Sequence, residues 1–301
     1  MKHLLGMKEV SRTEIQEILQ EASRMKREVL EGSKKDNCLS GKSIITLFFE
    51  NSTRTRLSFE LASKYLGATA ANIAASGSSV AKGETLIDTA KTIDQMAADV
   101  IIIRHSSSGA PHLISNYTNA SIVNAGDGMN EHPTQALLDF MTMQEKKGGF
   151  QGLRVAIVGD VKHSRVARSN VYGLKKLGAD VVLGGPATLM PADIEQLGVK
   201  AYTDIDRAIE GADVVMGLRI QLERQKKGLF PSVREYHKYF GINEERLKLA
   251  APDAIVMHPG PVNRGVELSA AVIDGDRSVI GEQVTNGVCV RMAVLNLLAG
   301  K

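Results

Sequence analysis

Five consecutive residues, Ser52-Thr53-Arg54-Thr55-Arg56, put three hydroxyls and two guanidiniums where an apolar run stops and a helical pattern starts. Such a place is suited to a phosphate. The first turn of a helix has backbone N–H groups without intrahelical partners and the positive end of the macrodipole, so an anion there gains hydrogen bonds and charge compensation together. Arginine adds a planar fork matched to phosphate oxygens. Taken alone, the segment also fits an ordinary capped, solvated basic turn. Similar groups nevertheless follow the other apolar runs: Arg104 after 100–103, His132-Pro133-Thr134-Gln135 beyond 122–123, and Asp160, Lys162, His163 and Arg165 after 153–158. Arg219 and Gln221 follow 214–217, and His258-Pro259-Gly260-Pro261 follow 254–257. Ligands in open parallel sheets lie beyond the carboxyl ends of the strands. Arg, His or Gln at all six ends points to a site for a charged small molecule.

Other chemistries lack their patterns. Gly159-Asp160 follows a strand but no G-x-G-x-x-G is present, and neither a Walker sequence nor H-E-x-x-H occurs. No cofactor and no metal are expected. His163 and Ser164 are neighbours in sequence, which is not the geometry of a triad.

The elements that must carry these residues alternate as strand and helix, the pattern of an α/β fold with parallel sheets. A first helix opens at the capping-box sequence Ser11-Arg12-Thr13-Glu14. A strand over 43–49 leads to a helix from about Thr53, stopped by Gly67. The small-residue segment Ala74 to Gly83 reads as an exposed, mobile loop. A strand at 100–103 ends in Arg104, and the short run 122–123 ends in a loop, Asn124 to Gly128, before a helix opening near His132-Pro133. The rhythm restarts after Lys147-Gly148-Gly149, and a last helix is expected over Gly287 to Leu298. Two doubly wound lobes joined near residue 133 are the simplest account, with a small ligand between them by default.

A chain of 301 residues with 43% hydrophobic content can bury two medium cores without staples. The formal charge of +3 comes without a basic tail, which argues against nucleic acid and anionic membranes as partners. Cys38 and Cys289 form no metal pattern and are expected to be buried or half-buried. The start Met1 to Gly6 lacks a signal sequence, and no window approaches a membrane span. A cytoplasmic protein is expected.

With these residues assembled, the chain resembles the aspartate carbamoyltransferase family, catalytic chain, over essentially its whole length. The family's phosphate motif is similar to Ser52 to Arg56, and its carbonyl-binding motif to His132 to Gln135. Both are shared with ornithine carbamoyltransferases. Its later motifs are similar to Gly159-Asp160 through Arg165, to Arg219-Ile220-Gln221, and to His258-Pro259-Gly260-Pro261. An ornithine enzyme would show His-Cys-Leu-Pro in that last loop. Arg165 and Arg219 agree physically, because aspartate offers two carboxylates whereas the terminal ammonium of ornithine would be repelled.

The resemblance implies a carbamoyl phosphate-binding domain of residues 1–133 plus 286–301 and an aspartate-binding domain of 134–285. It implies attack of the aspartate amine on the carbonyl carbon, through a tetrahedral intermediate that expels phosphate. Arg54, Thr55, Arg104 and His132 are the expected catalytic residues, with Ser52, Thr53, Gln135, Pro259, Gly260 and Pro261 completing the carbamoyl phosphate site. Lys82, Arg165, Arg219 and Gln221 are expected to hold aspartate. A homotrimer with shared sites is implied, in which Ser78 (or Ser79) and Lys82 reach into the neighbouring subunit. Association with regulatory chains or a dihydroorotase stays open, as do another amine acceptor and a non-catalytic carbamoyl phosphate-binding role.

Overall fold

The run Ile44-Ile45-Thr46-Leu47-Phe48 makes β1 (Ser43–Phe48), with Ile44 and Leu47 fully buried. Such apolar, β-branched runs suit strands covered on both faces. The protein is described by a computed structural model over residues 1–32, 34, 36–74, 83–192, 194–220 and 232–300. It divides into two compact units, Met1–Met141 with Thr285–Lys301, and Thr142–Val284.

In the first unit, α1 (Arg12–Leu30) is opened by the expected capping box, Ser11 and Glu14 each accepting from the other's backbone. β1 is followed by α2 (Thr53–Tyr65), β2 (Thr69–Ala74), α3 (Leu86–Gln95), β3 (Val100–His105), α4 (Ala110–Ser115) and β4 (Ser121–Asp127). The sheet order is β2-β1-β3-β4, and every pairing is parallel. Leu47, Ile101, Ile103 and Ile122 from the sheet pack with Ile93 and Ile114 from the helices. Each such buried side chain stabilises by about 1.5–3 kcal/mol. The chain turns outward from β1 to β2, then crosses to β3 on the other side. The strand connections therefore diverge between β1 and β3, where ligands of open sheets bind.

α5 (Pro133–Lys147) leads into the second unit, with β5 (Arg154–Val158), α6 (Arg165–Leu177), β6 (Asp180–Gly184), β7 (Lys200–Tyr202), α7 (Ile205–Ile209) and β8 (Val214–Gly217). α8 (Val233–Phe240), α9 (Glu244–Leu247), β9 (Ile255–Met257), α10 (Ala270–Asp274) and α11 (Ile280–Ala299) complete the chain. The order β7-β6-β5-β8-β9 is again parallel and diverges between β5 and β8. Ala156, Val158, Val215 and Val256 form its core with Ile205, Ile209 and Leu268. Among the described residues, no helix is long and apolar enough to cross a membrane.

Several boundaries differ from the sequence expectation. The break placed at 133 falls instead after Met141, inside α5, because Pro133 starts a continuous helix and not a domain. The second break lies after Val284, inside α11. That helix begins at Ile280, ahead of the expected Gly287, and Gln283 in the added turn accepts from the His258 N–H at 2.9 Å. The loop expected from Asn124 belongs to β4 as far as Asp127. Asn124 can be buried there because its amide donates to the Leu5 carbonyl and Asp127, both at 2.8 Å, and its oxygen accepts from Gly126 N–H. Cys289 is buried, but Cys38 is exposed, sitting in a polar turn rather than on an apolar face. Of the expected loop from Ala74 to Gly83, Ala74 ends β2 and residues 75–82 lie outside the described residues.

Candidate active site

At the carboxyl end of β1 the chain enters α2 through Ser52, which is extended (φ −158°) and makes no side-chain cap bond to the helix. Ser11 and Ser164, by contrast, both cap their helices. The first turn of α2 holds no acidic residue, so nothing there offsets the positive helix end. Thr53 and Arg54 are exposed, whereas Thr55 is buried at 8% exposure. The sequence therefore puts hydroxyls, dipole and guanidinium at one strand end, as an anion requires.

The next strand supplies Arg104, in register with Phe48 across the β1–β3 pairing. Its Nη1 donates to the Ala125 carbonyl at 3.2 Å, and its Nε lies 3.3 Å from a Glu50 carboxylate oxygen. These contacts fix the plane of the fork beside the Ser52 turn. β4, next in the sheet, leads to His132, which is 5% exposed. Asp127 holds the intervening turn, accepting from Glu131 N–H at 3.1 Å, Gly109 N–H at 2.7 Å and the Asn130 amide at 3.1 Å. Glu131 in turn accepts from the N–H groups of Met7 and Lys8, at 2.6 and 3.2 Å. The His132 carbonyl accepts from Gln135 N–H at 3.0 Å as α5 begins. The Gln135 amide donates to Asp139 at 3.0 Å. The first unit thus brings Ser52, Thr53, Arg54, Thr55, Arg104, His132 and Gln135 to successive strand ends of one sheet. An expected boundary at 133 would have assigned Gln135 to the other unit.

In the second unit β5 ends at Val158 and is followed by Gly159, whose φ of 134° and approach to Leu218 leave no room for a side chain: a Cβ would meet Leu218 Cβ and its carbonyl oxygen at 3.0 Å. This brings the ends of β5 and β8 together. Asp160 is fully buried and 2.8 Å from His163 Nδ1. Ser164 accepts from Ala167 N–H at 3.1 Å and so caps α6, which places Arg165 at its first position, 5% exposed. That cap, and not a Ser–His couple, is the use of the His163-Ser164 pair. Arg219 is half-buried just beyond β8. Its neighbour Ile220 donates to Glu267 at 2.7 Å, and Glu267 also accepts from Asn263 N–H at 2.9 Å. Burial pushes the Glu267 carboxyl upward, against these hydrogen bonds.

The last strand end carries His258, whose Nδ1 accepts from Gly260 N–H at 2.9 Å. With that N–H engaged and Pro259 and Pro261 lacking one, the backbone groups this turn has to offer are carbonyls, which can accept from an amino group. Pro259 to Pro261 lie in the second unit, whereas the other residues expected to bind carbamoyl phosphate lie in the first. Ser78, Ser79, Lys82 and Gln221 lie outside the described residues.

Sequence reasoning missed the acids that aim these groups: Glu50, Asp127, Asp139 and Glu267. Glu50 sits directly before Asn51-Ser52 and was readable as a partner for one of the nearby arginines. The others are contacts of tertiary structure.

Comparison with known proteins places these two units. A family model described as the carbamoyl-P binding domain of aspartate/ornithine carbamoyltransferase matches residues 2–145, and one described as its Asp/Orn binding domain matches 151–298. The chain is 66% identical over 297 residues to the aspartate carbamoyltransferase catalytic subunit of Acetivibrio thermocellus, covering 99% of this chain and 95% of that one. It is 63% identical to that of Caldanaerobacter subterraneus, covering 99% and 97%. Among solved structures, ornithine carbamoyltransferase from Pyrococcus furiosus is similar at a TM-score of 0.89 and 32% identity, covering 99% of this chain and 97% of that one. Aspartate transcarbamoylase from Trypanosoma cruzi, in complex with carbamoyl aspartate and phosphate, is similar at 0.88 and 32%, covering 99% and 95%. The fold is thus common to both acceptors, while the high-identity relatives carry the aspartate name. With both domains matched over nearly its full length, the chain belongs to the aspartate/ornithine carbamoyltransferase family.

Proposed function

We propose that this protein transfers the carbamoyl group of carbamoyl phosphate to the amine of L-aspartate, giving N-carbamoyl-L-aspartate and phosphate, as a step of pyrimidine biosynthesis. The observation that carries this reading is the uncapped, acid-free start of α2 beside Arg104 and His132 at adjacent strand ends. Arg54, the Ser52 to Thr55 turn and Arg104 take the phosphate. Thr55, Arg104 and His132 donate to the carbonyl oxygen as negative charge builds there. Gln135 and the carbonyls of Pro259 and Gly260, with Pro261 shaping the turn, accept from the carbamoyl amino group.

Arg165 and Arg219 pair with the aspartate carboxylates, with Gln221 and Lys82 assisting. Aspartate rather than ornithine follows from this charge complementarity and from the names of the high-identity relatives. No covalent nucleophile is required, and the departing phosphate is the base we assign to the amine proton. Arg54, Arg104, His132 and Gln135 belong to the first unit, whereas Arg165, Arg219 and the Pro259 to Pro261 turn belong to the second, so the reaction needs both units to present their substrates with reacting atoms about 3–3.5 Å apart. Release of phosphate from carbamoyl phosphate that depends on added L-aspartate tests this; release indifferent to aspartate would contradict it.

The assembly we propose is a cytoplasmic homotrimer in which Lys82 and Ser78 serve a neighbouring site. Mixing inactive Arg54→Ala and Lys82→Ala chains should then restore activity by making some sites with both residues intact. Mixtures with no more activity than their parts, despite exchange of subunits, would exclude shared sites.

A further inference from the structure

One turn along α5 from Gln135, Asp139 is fully buried with its carboxylate 3.0 Å from the Gln135 amide nitrogen. A carboxylate ion only accepts, so the Gln135 NH2 must face it and the Gln135 oxygen must face away. The cation nearest in role is Arg291 on α11, itself 4% exposed. Its Nη1 donates to the Gly287 carbonyl at 2.9 Å, and its guanidinium lies 5.1 Å from the centre of the Phe59 ring on α2. Position 287 is open for this purpose, since a Cβ there would stand 2.7 Å from Arg291 Nη1 and 3.2 Å from Leu138. Burial pulls the guanidinium down to about 10 and the Asp139 charge opposes that fall, so Arg291 is cationic at neutral pH. Retaining a buried charge pair is not by itself a gain in stability, because apolar replacements of similar volume often do as well. Its presence one turn from a ligand-facing amide calls for another reason.

We propose that Asp139, with Arg291 as its buried counter-charge, is a positioning residue that locks the Gln135 amide with its oxygen presented as an acceptor, so that the site selects a carbamoyl NH2 over the isosteric CH3 of an acetyl group. The inference rests on the assignment of Gln135 to the carbamoyl amino group made above. An amide turned the other way would set donor against donor, whereas a methyl group is indifferent to the direction.

Acetyl phosphate is the probe, as a competitor of carbamoyl phosphate with L-aspartate saturating. In Asp139→Asn the new amide turns its oxygen towards Arg291 and its NH2 towards Gln135, which inverts Gln135. KM for carbamoyl phosphate should rise about tenfold, the factor one such hydrogen bond is worth, while Ki for acetyl phosphate stays within about twofold. Should that chain fail to fold, Asp139→Leu with Arg291→Met removes both charges together and leaves none buried alone; the same loss of discrimination is expected. An unchanged ratio of the two constants, or an equal weakening of both ligands as a purely structural role predicts, would overturn the proposal. If the unaltered protein does not carbamoylate aspartate at all, it is the functional assignment that fails; if it does and discrimination survives the substitution, only the positioning role fails.

Discussion

Replacing Thr55 with Val separates the chemistry of the α2 turn from its structural role. Thr55 is the third residue of α2 and is 8% exposed. Its carbonyl accepts from Ser58 Oγ at 2.9 Å, and its hydroxyl makes no hydrogen bond to any described residue. Valine keeps the β-branched shape and nearly the same helix propensity, and the carbonyl that accepts from Ser58 is retained. Stability should therefore move by no more than about 0.5 kcal/mol, a shift in Tm of roughly 1–2 °C for a domain of this size. Loss of one preorganised donor to a developing oxyanion typically costs about 2.7–4 kcal/mol, or 10²–10³ in kcat. In the proposed mechanism Thr55 shares that oxygen with Arg104 and His132, which puts the expected loss at the lower end, on the order of 10²-fold. Initial rates of ureido-product formation with both substrates saturating, together with a thermal melt, measure the two effects. A kcat within threefold of the unaltered protein would refute the oxyanion role. A fall in Tm beyond about 5 °C would refute the claim that the hydroxyl has no structural task.

Arg54→Ala should raise the activation barrier of kcat by about 3 kcal/mol with little change in Tm, because Arg54 is exposed and is the residue proposed to take the leaving phosphate; a near-normal kcat would contradict that assignment, read from steady-state rates. Arg219→Ala should raise KM for aspartate by about 10- to 100-fold, the worth of a charge-assisted hydrogen bond, and leave carbamoyl phosphate binding within twofold; a loss confined to carbamoyl phosphate would reverse the division of roles. The Ser11 backbone bond, then the Ser11 hydroxyl, hold the Glu14 carboxyl below its usual range. A lowered folded value means stability present above the ordinary carboxylate range and lost as pH falls through the depressed value. Glu14→Gln should accordingly lower Tm at pH 7, by an amount that shrinks as pH falls below the ordinary carboxylate range; an effect that does not diminish with falling pH would show that the charge is irrelevant. Ser11→Ala should cost about 1 kcal/mol, measured by denaturant unfolding.

The parts legible in the sequence were those in which local chemistry and position coincide. β1 and the start of α2 could be read because a β-branched run ends in hydroxyls and arginines, and β5 with α6 because an apolar run ends in Gly159. β4 was cut short because Asn124 and Asp127 look like loop residues until their buried partners are known. α11 was begun too late because the turn from Ile280 to Asn286 has little apolar period, and Gln283 is held there by the His258 backbone. The first unit boundary was placed at 133 instead of 141, since a division inside α5 leaves no composition change, whereas the second was placed within about one residue. Among the proposed site residues, the arginines and histidines follow strands and are visible as a pattern. The acids that orient them are not: Glu267 lies far along the chain from Ile220, and Asp139 reads as one more polar residue of a helix until its hydrogen bond from Gln135 and the buried charge of Arg291 are seen.

A phosphate turn on one unit and two arginines on the other are proposed to serve one reaction, with aspartate as acceptor. Purified protein given carbamoyl phosphate with L-aspartate or L-ornithine in parallel, with the ureido product identified, tests it most directly. N-carbamoyl-L-aspartate formed with aspartate, and no citrulline with ornithine, is the predicted result. Citrulline from ornithine with no product from aspartate would contradict the roles given to Arg165 and Arg219.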